Sequence, residues 1–186
     1  MISHPRTSYR LVARALRPFT QPQPQYIRSF SQSSRALNKI AFRVDGQGRG
    51  VAQSVKVKGS PHFIEVDAYP SFGGKDAAPT PLAYALSSLG SCTQVTGSLV
   101  AKDLGITLGD WKVTVKADLD PAVLVEGKEG NANWDNVELN VHVQTDAKDD
   151  AQFEKFANET ERRCPITQLY KRSGTGWKSQ WVNEKL

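Results

Sequence analysis

The stretch APTPLAYALSSLGSCTQVTGSLVAKDLG, residues 78–105, decides how this chain folds. Thr80 reads as an N-cap and Pro81 as the first helical residue, a position where a missing N–H costs nothing. Gly105 reads as the stop after Leu104. Leu82, Ala85, Leu89, Cys92, Thr96 and Leu99 recur at steps of three and four, so they share one face. The spacing predicts one long helix with Cys92 midway along its buried side. Gly90 lies beside it. A glycine in a helix interior costs about 1 kcal/mol against alanine, which points to a close approach by another backbone. A lone Cys in such a setting is more often a small packing residue than a nucleophile, so its role depends on the rest of the chain.

Short strands precede this helix. Residues 40–44 and 51–58 read as strands separated by the glycine-rich turn DGQGRG at 45–50, and residues 62–68 as a third. Residues 69–78 form a loop leading into the helix. Beyond it, residues 111–118 alternate, with Trp111, Val113, Val115 and Ala117 inward and Lys112, Thr114 and Lys116 outward. Residues 137–144 alternate in the same way, which leaves His142 on a polar face. Residues 149–162 form an amphipathic helix, acidic at its start and basic at its end, as the helix dipole favours. Pro165 restarts a helix directly after Cys164, and residues 177–182 close the chain as a strand. The order of strands, long helix, strands, helices and strand predicts an α+β fold.

The charge is unevenly placed. Of the 24 Lys and Arg, six arginines (Arg6, Arg10, Arg14, Arg17, Arg28 and Arg35) lie in residues 1–36, which hold no acid. The remainder carries 18 basic against 19 acidic residues, so it offers no electrostatic case for nucleic acid. The N-terminal segment is Arg-rich and Ser-rich, the pattern of a mitochondrial presequence, with RSFSQSS at 28–34 as the processing region. The expected organisation is a disordered presequence over residues 1–36, a domain over 37–186, and a place in the mitochondrial matrix. No run of 18 apolar residues occurs, so no membrane span is expected. The Gly73–Gly74 pair lacks the spacing of a nucleotide-binding loop. The three histidines support no Ser-His-Asp arrangement. Two cysteines without nearby His or Cys ligands make a poor zinc site, so neither metal nor cofactor is expected. Cys92 and Cys164 are then two packing residues or a redox pair.

At this point a resemblance enters. GGKDAAPTPLAYALSSLGSCTQVT, residues 73–96, resembles the core motif of the OsmC/Ohr superfamily. RRCPITQLY, residues 162–170, resembles its second cysteine motif, and DGQGRG its N-terminal arginine region. The resemblance implies antiparallel sheets wrapped around a long central helix carrying the first Cys, in an intertwined homodimer. It also implies thiol-dependent reduction of organic hydroperoxides. Cys92 would be the peroxidatic nucleophile and Cys164 the resolving thiol. Arg49, with Arg43 as a weaker match, would lower the thiolate pKa and orient the peroxide. A dithiol of lipoyl-protein or thioredoxin type would restore the thiols. The chemistry is consistent with this: a thiol on an apolar helix face has its pKa raised by desolvation unless a cation sits close. An apolar surround also suits a greasy hydroperoxide.

This sequence departs from the family pattern at one place. Peroxidase members carry a Glu just after the motif's Pro, where it holds the arginine. Here Leu82 and Ala83 occupy those positions, and no acid lies between Asp76 and Asp103. Either Asp76 or Glu65 substitutes, or the peroxidase chemistry is weakened or lost. The rival expectation is therefore a catalytically weak or inactive OsmC-like dimer that binds a small apolar or thiol-reactive ligand.

Overall fold

The computed structural model describes residues 39–186. The presequence expected over residues 1–36 lies outside them. Residues Ala41–Leu186 form one compact unit. Its elements are β1 (Val44–Arg49), β2 (Ala52–Val57), β3 (Phe63–Val66), a 3-10 turn (Pro70–Phe72), α1 (Pro81–Leu104), β4 (Leu108–Asp118), α2 (Pro121–Glu126), β5 (Asn136–Thr145), α3 (Asp150–Arg163), α4 (Pro165–Arg172) and β6 (Gly176–Lys185). The first three strands make one sheet, β1-β2-β3, and the last three another, β4-β5-β6. This is the expected α+β architecture.

The long helix runs where its sequence puts it. Thr80 Oγ1 accepts the Ala83 N–H at 3.2 Å, and Gly105 closes the C-terminus with φ 66°. Its buried face is rotated from the expected one. Leu89, Thr93, Thr96, Gly97, Val100 and Ala101 are buried, whereas Leu82 and Leu99 are exposed and Cys92 is only half-buried. Hydrophobic spacing marks a face, but the positions of the strands and α3 select which stripe goes inward.

The expected close approach at Gly90 is also displaced. A Cβ at Gly90 would meet Val113 Cγ1 at 3.5 Å and Val115 Cγ2 at 3.6 Å, which is ordinary contact. The tight spot is one heptad on, where a Cβ at Gly97 would come within 2.5 Å of Trp111 Cη2. It is an indole ring, not a backbone, that needs the glycine.

β5 is the central strand of its sheet. Val137, Leu139, Val141 and Val143 are essentially fully buried, each such side chain contributing about 1.5–3 kcal/mol by leaving water. Phe156 of α3 stacks edge-on against Trp111 and Trp181, with ring centroids 6.1 and 5.8 Å apart. β4 pairs with β5 antiparallel, but β6 pairs with β5 in parallel. The antiparallel expectation therefore stops at this pair. α3 and α4 occupy the connection, and a crossover of that length returns the chain in the same direction.

The N-terminal sheet differs from its sequence reading as well. DGQGR, expected as a turn, lies in β1 and pairs in register with β2, Gly46 opposite Val55 and Gly48 opposite Gln53. The strand expected at 40–44 begins only at Val44. A backbone ladder needs no side chains, so glycines are tolerated on this edge strand. The turn falls instead at Gly50–Val51, where Gly50 has φ 65°. Both faces of this sheet are largely open: Phe42 at its entrance and Val44 and Phe63 within it are exposed.

Candidate functional site

Cys164 ends α3 and caps α4 in the same step. Its backbone has φ −74° and ψ 114°, the extended conformation of an N-cap, followed by Pro165 at the first helical position. The Cys164 N–H donates to Thr160 O at 3.0 Å, and its carbonyl accepts from the Gln168 N–H at 3.0 Å. The sulfur does the work usually given to a Ser or Asp oxygen: Sγ accepts the Thr167 N–H at 3.4 Å. Cys164 and Thr167 are both fully buried.

α1 packs on α4, and this brings Cys92 to Cys164. The two sulfurs are free thiols, close enough that each shifts the ionisation of the other. The groups around them act unequally. Burial pushes the Cys92 thiol up, and a thiolate at Cys164 pushes it further; the Ile166 N–H and the Thr96 hydroxyl pull it down without cancelling the rise. Burial also pushes Cys164 up, but the Thr167 hydroxyl and N–H, the Cys92 thiol and the Ile166 N–H outweigh it, leaving Cys164 below an ordinary thiol. The two shifts run in opposite directions, so the surroundings favour a thiolate at Cys164 over one at Cys92.

Among the described residues of one chain, no arginine is a cause of the Cys92 shift. Arg49 is the last residue of β1, exposed at the hairpin tip. Among the described residues it has no ion-pair partner. Arg43 donates to Asp45 at 2.8 Å, also on the surface. The cations nearest in sequence to Cys164 are engaged elsewhere: Arg162 with Glu159 at 2.7 Å, Arg163 with Asp103 at 2.6 Å and Lys171 with Glu161 at 2.6 Å.

The two acids considered as substitutes for the absent Glu have other roles. Glu65 Oε1 accepts from Ser54 Oγ at 2.7 Å, and its carbonyl accepts from Tyr84 Oη at 2.7 Å. Asp76 occupies the left-handed region, φ 55°, in the loop before α1. The acid that organises this loop is Asp67, which the sequence reading passed over. Buried, its Oδ2 accepts the N–H groups of Lys75 and Ala77, each at 3.0 Å.

Thr96 and Thr167 were missed too. Thr167 stands three residues after a Cys that precedes a Pro, the N3 position of a capping arrangement, and that spacing was a usable signal. His142 lies on the polar face with Nδ1 2.7 Å from Glu184 Oε1, away from the thiols. Among the described residues no cluster of His, Cys, Asp and Glu could hold a metal ion, and no helix is long and apolar enough to cross a membrane.

Two surface clefts flank α1. One, of about 420 Å³ and mostly apolar, is lined by Val51, Tyr69, Phe72, Pro81, Leu82 and Leu124. The other, of about 390 Å³, runs along Leu86, Gly90, Gln94, Val113 and Val115.

Residues 73–177 match the family model described as OsmC-like protein, a span that contains both cysteines. The fold is similar to that of an OsmC-like protein from Mycoplasma pneumoniae, with TM-score 0.61 and 17% identity over 77% of this chain and 99% of the other. It is also similar to an organic hydroperoxide resistance protein from Legionella pneumophila, with TM-score 0.58 and 15% identity over 77% and 97%. A third match is an organic hydroperoxide resistance protein from Elizabethkingia anophelis, solved with crystallant-derived thiocyanate bound, with TM-score 0.60 and 18% identity over 80% and 99%.

Proposed function

Because this chain belongs to the OsmC-like protein family, we propose that it reduces organic hydroperoxides through the Cys92–Cys164 pair. The observation that carries this reading is the meeting of two thiols 72 residues apart in sequence, one half-buried and the other fully buried. Two similar folds belong to proteins described by organic hydroperoxide resistance.

In the proposed cycle the Cys92 thiolate attacks the outer oxygen of the peroxide. The O–O bond breaks, the alkoxide takes a proton and leaves as the alcohol, and Cys92 becomes a sulfenic acid. The Cys164 thiolate then attacks the Cys92 sulfur, displaces hydroxide, which leaves as water, and forms the disulfide. An external dithiol, of lipoyl-protein or thioredoxin type, returns two electrons and two protons.

A Cys92 thiol held up by burial needs a cation to react near neutral pH. We place that cation in a homodimer, with Arg49 on the hairpin of a second copy. Two observations support this. The β1-β2-β3 sheet leaves the apolar side chains of Val44 and Phe63 exposed, and three strands without a covered face are marginal by themselves. α1 likewise exposes Val95 and Leu99, at 64% and 55%. We also propose that residues 1–36 direct the chain to the mitochondrial matrix, which import with N-terminal sequencing of the mature protein would test.

The test of the activity is a coupled assay with cumene hydroperoxide and dihydrolipoamide. Turnover by the wild type, abolished in Cys92→Ser, is the expected result, and equal turnover by the two sinks the proposal. For the arginine, Cys92→Ser and Arg49→Ala are each expected to be inactive but to regain activity when mixed, because a mixed dimer holds one intact site.

A second reading rests on the apolar cleft at the start of α1 and the absent Glu. There the protein binds an apolar ligand and turns over no peroxide. It predicts thermal stabilisation by a fatty acid with no turnover in the coupled assay; an unchanged melting temperature removes it.

A further inference from the structure

We propose that Thr167 is a positioning residue that makes Cys164 the leaving sulfur when the disulfide is reduced, so that the reducing dithiol attacks Cys92. This rests on the reading of the two cysteines as a redox pair. Three observations carry it.

The first is access. Thiol–disulfide exchange proceeds with the attacking sulfur, the attacked sulfur and the leaving sulfur close to one line. Cys164 is 0% exposed, enclosed by the α3–α4 corner, while Cys92 is half-buried. With no exposed surface, Cys164 offers an external thiolate no approach, whereas Cys92 keeps part of its surface open.

The second is the cap. The Thr167 N–H already points at Cys164 Sγ, at 3.4 Å. The N-terminal N–H groups of α4 favour negative charge on the atom that caps them.

The third is the Thr167 hydroxyl. Oγ1 is fully buried, yet no partner meets it with hydrogen-bond geometry in the dithiol state shown here. A buried hydroxyl without a partner is costly, and native proteins rarely leave one so. It belongs to the residue whose N–H meets the Cys164 sulfur, and it is among the groups that hold that thiol below its ordinary value. A thiolate there would give the hydroxyl the acceptor it lacks. The polar atom without a partner in one state thus has a function in another.

One thiolate of the dithiol attacks Cys92 Sγ, a mixed disulfide forms, and the Cys92–Cys164 bond breaks with its electron pair on Cys164. Thr167 N–H and Oγ–H receive that charge. The second thiol of the dithiol loses its proton and attacks its own sulfur in the mixed disulfide. The cyclic disulfide leaves, and Cys92 departs as a thiolate. The two protons of the dithiol end on the protein thiols. A leaving sulfur of lower pKa leaves faster, so whatever stabilises the Cys164 thiolate speeds the first exchange.

The experiment forms the disulfide in the full chain with diamide and treats it briefly with glutathione. Acid quenching, N-ethylmaleimide labelling and peptide mapping then locate each adduct. The expected result is glutathione on Cys92 and maleimide on Cys164. Thr167→Val, which removes only the hydroxyl donor, should slow the exchange and shrink the bias by about tenfold, and Thr167→Ser should restore both. If Thr167→Val does not fold, Thr167→Ala gives the same comparison without a misplaced methyl.

Glutathione on Cys164, an unchanged bias in the donor-less variant, or no disulfide with diamide overturns the proposal. Diamide replaces the peroxide, so a protein inert towards hydroperoxides still gives an answer. Failure of the peroxidase reading alone would appear as absent turnover with the bias intact.

Discussion

Placing an alanine at either of two glycines on α1 separates the helix term from the packing term. In Gly97→Ala the new methyl would sit 2.5 Å from Trp111 Cη2, 3.2 Å from Cζ2 and 3.5 Å from Thr160 Cγ2. Carbons prefer about 3.5–4.0 Å, so the ring must retreat by roughly 1 Å. It has little room to do so, because Phe156 and Trp181 pack on it with centroids 6.1 and 6.4 Å away. Overpacking of this kind costs about 1–3 kcal/mol.

In Gly90→Ala the methyl meets Val113 and Val115 at 3.5 and 3.6 Å, a fit without displacement. Both variants gain the same helix preference, about 1 kcal/mol. That term cancels in the comparison, leaving Gly97→Ala less stable than Gly90→Ala by about 1–3 kcal/mol. At about 2–4 °C per kcal/mol, their melting temperatures should differ by roughly 2–12 °C.

Urea and thermal unfolding followed by tryptophan fluorescence, at one protein concentration, would measure this. Equal stabilities, or Gly90→Ala the weaker of the two, would refute the reasoning. They would mean that the tight spot on this helix lies at Gly90, against something outside the single chain.

Three further outcomes follow from particular contacts. The Ala77 N–H, then those of Ala68 and Lys75, hold the Asp67 carboxyl below the usual carboxylate range. Its stabilisation is therefore complete above the unfolded value and lost as pH falls through the lower folded one. Asp67→Asn should abolish that acid dependence and speed hydrogen exchange at the Lys75 and Ala77 amides; unchanged exchange would count against its organising role. Burial pushes Glu161 up, but Lys171, Ser179 and Trp181 outweigh it. Removing it in Glu161→Ala strands Lys171 and the Trp181 Nε1–H that donates at 2.8 Å, and urea unfolding should show a loss of about 1–3 kcal/mol. The proposed homodimer predicts that Leu99→Glu moves the sedimentation mass towards one chain, and an unchanged mass would take α1 out of the interface.

Much of the architecture was legible because it is local. The ends of α1 follow from Thr80, Pro81 and Gly105, whose capping preferences need no tertiary partner. The inward faces of β4 and β5 follow from alternation, and Cys164 was recognisable as the start of a helix from the Pro after it. Where the reading slipped, non-local pairing decided. DGQGR looks like a turn by composition, yet β2 offers it a ladder. The periodic residues of α1 defined one face, and the bulk of Trp111 and Phe156 turned the buried stripe to the one through Gly97 and Val100. β6 runs parallel to β5 because two helices occupy the connection.

The sequence by itself determined a long capped helix, two alternating strands and two cysteines set at recognisable places on helices. Which thiol holds its proton was decided only by the tertiary structure. A pKa is set by what stands within a few ångströms of the sulfur. Cys92 meets Cys164 and the Ile166 N–H only once α1 packs on α4, and no spacing along the chain encodes that meeting.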